Sequence, residues 1–267
     1  MNEYNDSIKR LPHISFNGIR RIACDCLVTL SKDVRDNLWK ELNHGCALLN
    51  SHELLCQYLY SFGNMHKAKI ENALLSINNP HQVFNNDFSI IDWGCGQGLA
   101  TVCFFDFLNV NKIPNKVRKV ILIEPSPMAL ERAGFHVNAY LNDENKIKTI
   151  KKFLNEVEKS EIKTDQPVTL HFFSNILDIK EIDLKQLAQK VGENVLGEHY
   201  FFCIGPLNRE NYRIDVFYNY FNSPFVLSEI EKSENKLEII DQGEYKDIQR
   251  SYTLKLKVFK FERNNNY

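Results

Sequence analysis

Residues 90–98 combine a carboxylate with three glycines in a spacing that suits ligand binding. The segment reads Ile-Ile-Asp-Trp-Gly-Cys-Gly-Gln-Gly, so Asp92 ends an apolar run and glycines then alternate up to the start of a helix-like stretch. Glycine lets a backbone turn sharply and approach a ligand closely, because it has no Cβ. The start of the following helix offers unpaired N–H groups. The loop is therefore a candidate site for the carboxylate of an amino-acid-like ligand.

The spacing of these glycines argues against a dinucleotide cofactor. The dinucleotide fingerprint needs G-x-G-x-x-G or G-x-G-x-x-A, in which the third small residue allows close packing of helix and strand. Counted from Gly94 and Gly96, that third position is Leu99. The sequence therefore disfavours NAD and FAD, and with them nucleotide-dependent oxidoreduction.

A second carboxylate follows the next apolar run of the chain. Glu124 ends the run 120–124 and precedes Pro-Ser-Pro. Sheets of the α/β class bind ligands at the carboxyl ends of their strands, so Glu124 should lie beside the glycine loop. A carboxylate in that place can accept hydrogen bonds from both hydroxyls of a ribose.

Residues 92–98 and Glu124 together resemble the class I S-adenosylmethionine-dependent methyltransferases, in the first motif and in the ribose-binding acid of that family. The resemblance covers roughly residues 87–262. It implies S-adenosylmethionine as cofactor and transfer of a methyl group to an acceptor, RNA, protein or small molecule, that the sequence does not identify. No residue between 142 and 158 can be assigned to the adenine amino group.

The resemblance also implies roles for individual residues. The glycines would pass the methionine part, Asp92 would steady the loop or the amine, Glu124 would hold the ribose, and Pro125 and Ser126 would flank the adenine. Cys95 belongs to the same loop, where a small residue packs rather than acts as a nucleophile. The predicted cofactor-binding residues are Asp92, Gly94, Cys95, Gly96, Gly98, Glu124, Pro125, Ser126, Ser174 and Asn175.

Candidates for the acceptor side are fewer. Ser174 and Asn175 follow the run 168–173, where the family places residues that line the methyl-transfer site. An in-line attack on a sulfonium methyl group needs mainly orientation, so a dedicated base is dispensable. If the acceptor is an alcohol, amide or amine, His66 and His171 are the candidate catalytic bases. Tyr60 is a candidate substrate-binding residue, and for all three side chains a structural role is the alternative.

We expect no bound metal and no disulfide framework. The seven cysteines are scattered singly apart from Cys24 and Cys26, and none shows the paired spacing of a structural zinc site. Reduced thiols of a cytoplasmic protein are the default interpretation. The polar N-terminus has no signal-like apolar core, and no apolar run approaches the roughly 20 residues of a membrane span.

The elements that must position these residues are of the α/β class. Apolar runs at 88–92, 120–124, 168–173 and 200–204 are typical of parallel strands buried on both faces. Helical stretches between them predict a doubly wound sheet, and segments 236–240 and 251–261 predict an antiparallel pair. With the family resemblance, this gives a seven-stranded, mostly parallel sheet.

We place a domain boundary near residue 87. Residues 1–86 form a helical N-terminal extension, packed near the carboxyl ends of the strands, in which Gly63 is expected to break or bend a helix. Residues 87–267 form the methyltransferase-like domain.

Charge and partners leave two function classes open. Lys and Arg total 33 against 34 Asp and Glu, so net charge does not indicate a nucleic acid, although it does not exclude one. We expect no membrane partner. The alternative to an enzyme is a non-catalytic binding module or partner subunit with the N-terminal helices as its interface. An open cavity beside the sulfonium favours the enzyme, whereas filling by Phe172, Phe173, Phe201 or Phe202 favours the module.

Overall fold

A computed structural model describes residues 2–45, 47–194, 196–210, 212–221, 225–242 and 247–263. The helices are α1 (Asn2–Lys9), α2 (Phe16–Val28), α3 (Lys32–Glu41), α4 (His52–Leu75), α5 (Pro80–Val83), α6 (Leu99–Val110), α7 (Pro127–Leu141), α8 (Leu184–Gly192) and α9 (Tyr212–Asn219). The strands are β1 (Phe88–Trp93), β2 (Val117–Ile123), β3 (Ile147–Ile150), β4 (Val168–Ser174), β5 (Glu198–Gly205), β6 (Phe225–Gln242) and β7 (Asp247–Arg263).

The strands form one seven-stranded sheet in the order β3-β2-β1-β4-β5-β7-β6. β1 to β5 are parallel, and β7 runs antiparallel to both β5 and β6. The chain leaves β1 toward one edge and returns to β4 on the other side, so the strand order reverses between these two strands. A crevice at the carboxyl ends of β1 and β4 follows from that reversal. The predicted α/β class, with a mostly parallel sheet and an antiparallel hairpin, is confirmed.

Each face of the sheet is covered by helices. One apolar core joins α1, α2 and α4 to α6 and α7, and the other includes α8 and α9. All six residues of β1 are buried, as expected for a central strand that is covered by helices on both faces, and the run is apolar apart from Ser89 and Asp92. The first core continues across residue 87, since Phe84 packs edge-on against Phe88 and Phe104. The division into 1–86 and 87–267 stays a prediction.

The N-terminal helices differ from the prediction at Gly63. α4 runs unbroken from residue 52 to 75, and a Cβ at Gly63 would lie 3.2 Å from Cζ of Phe16 and 3.4 Å from Cδ of Arg20. The glycine therefore lets α2 cross α4 closely rather than breaking the helix. The sequence patterns also missed α1, α2 and the short strand β3, and they underestimated the length of β6 and β7.

No helix among the described residues has both the length and the apolar character needed to cross a bilayer. The longest helix, α4, carries several charged residues, including the buried Lys69.

A buried chain of ring nitrogens joins β1, β4 and β5. Trp93 Nε1 donates to His171 Nδ1 at 3.2 Å, and His171 Nε2 lies 2.8 Å from His199 Nδ1. Because indole N–H is only a donor, His171 Nδ1 must accept, so His171 Nε2 donates to His199. The His171 ring also stacks on Phe201 with ring centroids 4.4 Å apart. Burial lowers the pKa of His171 and lowers that of His199 to about 4, so both rings are neutral.

This pair predicts a loss of stability in acid. In the unfolded chain the histidines take up protons below about pH 6.5, whereas in the folded protein His199 takes one up only below about pH 4. Protonation therefore favours the unfolded state, and the free energy of unfolding falls as the pH falls. In a His171→Phe/His199→Phe variant, which keeps aromatic rings in the stack, we expect the slope between pH 6.5 and 4 to decrease. The expected decrease is about 1.4 kcal/mol per pH unit for each histidine removed. Urea unfolding at a series of pH values measures it, and parallel curves for variant and wild type would contradict it.

Candidate functional site

The glycine loop connects β1 to α6 with three residues in the left-handed region. Gly94, Gly96 and Gly98 have φ values of +62°, +52° and +77°. A Cβ at Gly94 would lie 2.7 Å from Cδ1 of Ile176, whereas a Cβ at Gly96 would meet nothing within 4 Å. Packing therefore requires glycine at position 94, while Gly96 borders open space. Both glycines line a cavity at the carboxyl ends of the strands.

Asp92 anchors this loop from below. Its Oδ2 accepts hydrogen bonds from the Thr101 hydroxyl at 2.8 Å and from the Thr101 amide at 3.3 Å, in the first turn of α6. The carboxyl is fully buried, and burial raises its pKa to about 7 although the bonds from Thr101 oppose that rise. Of the two roles that the resemblance implies, the structure provides the steadying of the loop.

Glu124 joins the loop after β1 to the loop after β2. Oε2 accepts a hydrogen bond from the amide of Gly96 at 3.0 Å, and Oε1 accepts one from the amide of Ser126 at 3.0 Å. Burial raises the pKa of the carboxyl, and these two amides lower it. Each carboxylate oxygen has a further lone pair, so Glu124 can accept hydrogen bonds from a ligand while it holds both loops.

The cavity beside Glu124 has a volume of about 480 Å³. Six of the predicted cofactor-binding residues line it, namely Gly94, Gly96, Glu124, Pro125, Ser174 and Asn175. Twelve further residues complete its walls, namely Gly45, Ala47, Leu48, Leu49, Tyr58, Phe153, Leu154, Asn155, Ile176, Ile179, Glu181 and Ile182. A volume of this size suits a ligand of nucleoside size or larger.

The described walls of the cavity carry negative but no positive side chains. Glu124 and Glu181 are the acidic residues among them, and the described lining contains no lysine, arginine or histidine. Most of the other walls are apolar. Such a cavity suits a ligand with a positive centre and an apolar surface, and it opposes a pyrophosphate.

Gly45, residues 47–49 and Tyr58 of α4 form the wall of the cavity on the N-terminal side. The Ser126 hydroxyl donates to the Leu49 carbonyl and also caps α7 by accepting from the Ala129 amide. Gln97, fully buried within the glycine loop, donates from Nε2 to the Leu55 carbonyl at 3.0 Å. The N-terminal helices are thus fastened to both loops, in the position expected from the sequence.

A hydrogen-bonded chain crosses the cavity rim from α4 to the end of β4. Asn175 Nδ2 lies 2.8 Å from His66 Nδ1 and 3.3 Å from the Ser174 hydroxyl, and His66 Nε2 lies 2.9 Å from the Tyr58 hydroxyl. An amide NH₂ only donates, so His66 Nδ1 accepts and His66 Nε2 donates to Tyr58. Asn175 itself has φ of +56°, a conformation that asparagine tolerates better than most residues.

His66 is buried behind the two residues that it connects. It is 6% exposed, and burial, with Lys69 nearby, lowers its pKa to about 3. Tyr58 and Asn175 line the cavity, whereas His66 does not. A neutral imidazole with both nitrogens engaged holds these two side chains in place. We therefore replace the predicted role as a base by a positioning role.

His171 and Tyr60 do not reach the cavity. His171 is 1% exposed within the sheet, between Trp93 and His199, so it cannot contact an acceptor. Tyr60 lies on the outer side of α4, where the Arg20 guanidinium approaches its ring to 5.9 Å. Two residues along a helix face opposite sides, and Tyr58 is the tyrosine that lines the cavity.

Four predicted cofactor contacts lie behind the cavity wall. Asp92 faces α6, as described, and the Cys95 amide donates to the Ile123 carbonyl while the side chain joins the core. Gly98 packs against Ala133, which its added Cβ would approach to 3.3 Å. Ser126 is fully buried between Leu49 and α7. These residues shape the loops, and the structure does not place their side chains on the cavity.

Few sequence features predict the remaining walls of the cavity. Gly45, residues 47–49 and residues 153–155 contain no motif, and their place depends on where the chain folds back over the sheet. Asn155 is held by the Glu181 carbonyl, to which it donates at 2.7 Å, and by the Asp183 amide, from which it accepts at 3.0 Å. Tyr58 could have been found from its spacing to His66, two helical turns apart on one face.

The buried carboxyl of Asp92 predicts a pH-dependent effect of substitution. Its pKa in the folded state is raised, so its contribution to stability is present below about pH 4 and is lost as the pH rises through about 7. Asp92→Asn cannot ionise, and its free energy of unfolding relative to wild type should rise by about 1.4 kcal/mol per pH unit between about pH 4 and 7. Urea unfolding checks this, with the exposed Asp165→Asn as control. A pH-independent difference would contradict the buried-charge account.

Comparison of the sequence with models of known protein families found no match, and comparison with curated proteins found none. Solved structures of similar fold include the following three proteins. The first is a precorrin 8w decarboxylase of Methanobacterium thermoautotrophicum, at 12% identity and TM-score 0.46, with 70% of this chain and 88% of that chain covered. The second is a precorrin-6y C5,15-methyltransferase of Geobacter metallireducens, at 11% identity and TM-score 0.45, with 73% of this chain and 87% of that chain covered. The third is the N-methyltransferase NodS of Bradyrhizobium japonicum, at 10% identity and TM-score 0.43, with 76% of this chain and 97% of that chain covered. These likenesses concern the fold alone, a seven-stranded and mostly parallel sheet that ends in an antiparallel pair.

Proposed function

We propose that the protein is an S-adenosylmethionine-dependent methyltransferase and that its cofactor occupies the cavity beside Glu124. The observation that carries the proposal is the position of the Glu124 carboxylate, which is fixed by the Gly96 and Ser126 amides at the rim of an open cavity. This is where a ribose would meet both the glycine loop and the loop after β2.

The charge of the cavity supports the same ligand. S-adenosylmethionine carries a sulfonium and an ammonium group, which are attracted by two acidic residues in a described lining that contains no basic side chain. A dinucleotide would bring two phosphate charges to the same carboxylates. The cavity charge therefore agrees with the glycine spacing in disfavouring NAD.

Each part of the ligand has residues that suit it. The backbone at Gly94 and Gly96 would pass the methionine part, and Glu124 would accept from the ribose hydroxyls. Pro125, Leu154 and Ile182 give apolar walls for the adenine. Ser174, Asn175 and Tyr58 would then lie toward the methyl-transfer side of the cavity.

The bound cofactor supplies a methyl group that is already activated by the sulfonium charge. The protein has to align the acceptor with the methyl–sulfur bond and exclude water. Gly45 and residues 47–49 line the cavity and would help to exclude water from a bound ligand, and the chain Asn175–His66–Tyr58 fixes two polar groups at its rim. None of these steps requires His66 to take up a proton.

The non-catalytic binding module is disfavoured by the open cavity. Phe172, Phe173, Phe201 and Phe202 are buried within the strands and do not line it. The identity of the acceptor and a protein partner of the N-terminal helices stay predictions.

Calorimetric titration tests the cofactor. We expect saturable binding of S-adenosylmethionine and no binding of NAD by the wild type. Glu124→Ala should weaken binding by roughly 10- to 100-fold, because it removes hydrogen bonds to a charged acceptor worth about 1.5–3 kcal/mol. The matched control is Glu131→Ala, an exposed glutamate on α7. Binding of NAD alone, or of neither ligand by the folded wild type, would refute the assignment.

Turnover distinguishes an enzyme from a binding module. Wild-type protein with pooled RNA, protein and small-molecule acceptors should form S-adenosylhomocysteine. Cofactor binding without that product from any pool favours the module.

Alanine substitutions of the two cavity glycines should differ in their effects on stability and on cofactor binding. Gly94→Ala pushes a methyl group to 2.7 Å from Ile176, so it should lower the free energy of unfolding by about 2–3 kcal/mol through overpacking and positive φ. Gly96→Ala meets open space and should lose only about 1 kcal/mol, while it weakens S-adenosylmethionine binding at the cavity wall. Thermal melts and titrations of both variants check the contrast. Equal stability loss with unchanged binding in Gly96→Ala would count against the site.

A further inference from the structure

Three side chains that can bind a metal converge between α2 and the start of α4. His52 and Cys56 are one helical turn apart on α4, and Cys26 approaches them from α2. Their ligand atoms all lie within 4.8 Å of one another, and Cys56 Sγ is 3.8 Å from His52 Nε2. Sulfur and nitrogen ligands of a tetrahedral ion are ~3.6 Å apart, given metal bonds of ~2.3 and ~2.0 Å. The cluster thus has nearly the spacing of a ligand set.

The cluster is accessible from outside. It lines a cavity of about 460 Å³, and Cys26 and His52 are half-buried. Glu3, Asp25 and Glu53 border the same cavity and give its mouth a negative charge. A cation can therefore enter without opening of the fold.

Arg132 places an uncompensated positive charge against the cluster. It is 2% exposed, its guanidinium lies 3.6 Å from Cys56 Sγ and donates to His52 Nδ1, and it stacks 4.1 Å from the Tyr4 ring centroid. Among the described residues, no carboxylate lies within 4.0 Å of it. A buried guanidinium is costly unless an anion accompanies it. Cysteine thiolates at positions 26 and 56 would supply that anion.

We propose that Cys26, His52 and Cys56 bind one thiophilic d¹⁰ metal ion, Cu⁺ or Zn²⁺. Two thiolates with Cu⁺ carry a net charge of −1, which Arg132 neutralises, whereas two thiolates with Zn²⁺ are neutral and leave Arg132 unbalanced. Charge balance therefore favours Cu⁺, and both ions share the preference for sulfur ligands. The sequence prediction of no metal rested on the spacing of the seven cysteines along the chain, which does not show that Cys26 approaches Cys56.

Binding exchanges protons for the metal and changes no oxidation state. Each thiol releases its proton to solvent as its sulfur bonds to the ion. Arginine is always a donor, so His52 Nδ1 accepts and Nε2 carries the proton in the metal-free protein. When Nε2 binds the ion, its proton moves to Nδ1, and Arg132 turns from His52 to the Cys56 thiolate that it already approaches.

The site would fasten the N-terminal helices to the glycine loop. The ion would link α2 to α4, and Arg132 also donates to Gln97 Oε1 at 3.4 Å. Because Gln97 in turn holds the Leu55 carbonyl, the metal would stabilise the cover of the cavity. This role is structural and does not depend on methyl transfer.

Metal titration of the reduced, full-length protein tests the proposal. Co²⁺ serves as spectroscopic probe for thiolate ligation, and Zn²⁺ and Cu⁺ then compete under oxygen-free conditions, with a chelator buffering each ion. We expect one ion per chain, thiolate-to-metal absorption, and a raised melting temperature. Cys26→Ser and Cys56→Ser should weaken binding by about 100-fold or more, since even outer-shell partners contribute 10- to 100-fold. Cys24→Ser, on the same helix and equally half-buried, is the matched control and should bind like wild type.

Three results would overturn the proposal. The first is binding of less than a tenth of an equivalent of each of the three ions. The second is an equal loss of metal affinity in Cys24→Ser and Cys26→Ser. The third is wild-type metal affinity in both Cys26→Ser and Cys56→Ser. His52→Asn, which keeps both thiols, separates loss of a ligand from failure to fold, and circular dichroism of each variant verifies the fold. Mass spectrometry after treatment with hydrogen peroxide identifies the remaining alternative, in which Cys26 and Cys56 form a disulfide and no ion binds.

Discussion

The carboxylate of Glu124 accepts hydrogen bonds from the Gly96 amide in one loop and from the Ser126 amide in the next. These loops leave adjacent parallel strands, and nothing in the sheet itself fixes their separation beyond the strand ends. A half-buried carboxylate with two backbone donors does fix it, because charge-assisted hydrogen bonds are short and directional. The width of the cavity, the position of the glycines and the start of α7 all depend on this bridge.

The N-terminal helices complete the site rather than standing beside it. Leu49 accepts from Ser126 and Leu55 accepts from Gln97, so the cover of the cavity is bonded to both loops that form its floor. Tyr58 reaches the rim from the same helix, held by His66. Without the N-terminal part of the chain, the apolar side chains of residues 47–49 would be missing from the cavity walls, and the proposed cofactor would be more open to water.

Several buried, neutral histidines connect elements of this protein by hydrogen bonds. His66, His136 and His171 each have a pKa lowered by burial, and each uses its ring nitrogens to connect elements distant in the chain. His136 joins the Tyr4 hydroxyl to the Gln97 carbonyl, so it too supports the glycine loop. A neutral imidazole suits this task, since one nitrogen donates while the other accepts. The same property makes these rings poor candidates for proton transfer at neutral pH.

The sequence by itself determined the features that depend on neighbours along the chain. Continuous apolar runs marked the four central strands, alternating glycines marked the loop, and Glu124 followed its strand by a spacing that any parallel sheet would translate into proximity. The tertiary structure alone decided which side chains face the cavity. Asn175 and His66 are 109 residues apart and Gln97 and Leu55 are 42 apart, so periodicity could not pair them. Likewise Cys26 and Cys56 lie on different helices, and only the packing of α2 against α4 brings their sulfur atoms together. Local patterns specify elements, because propensity and periodicity act over a few residues, whereas a site is assembled by packing between elements.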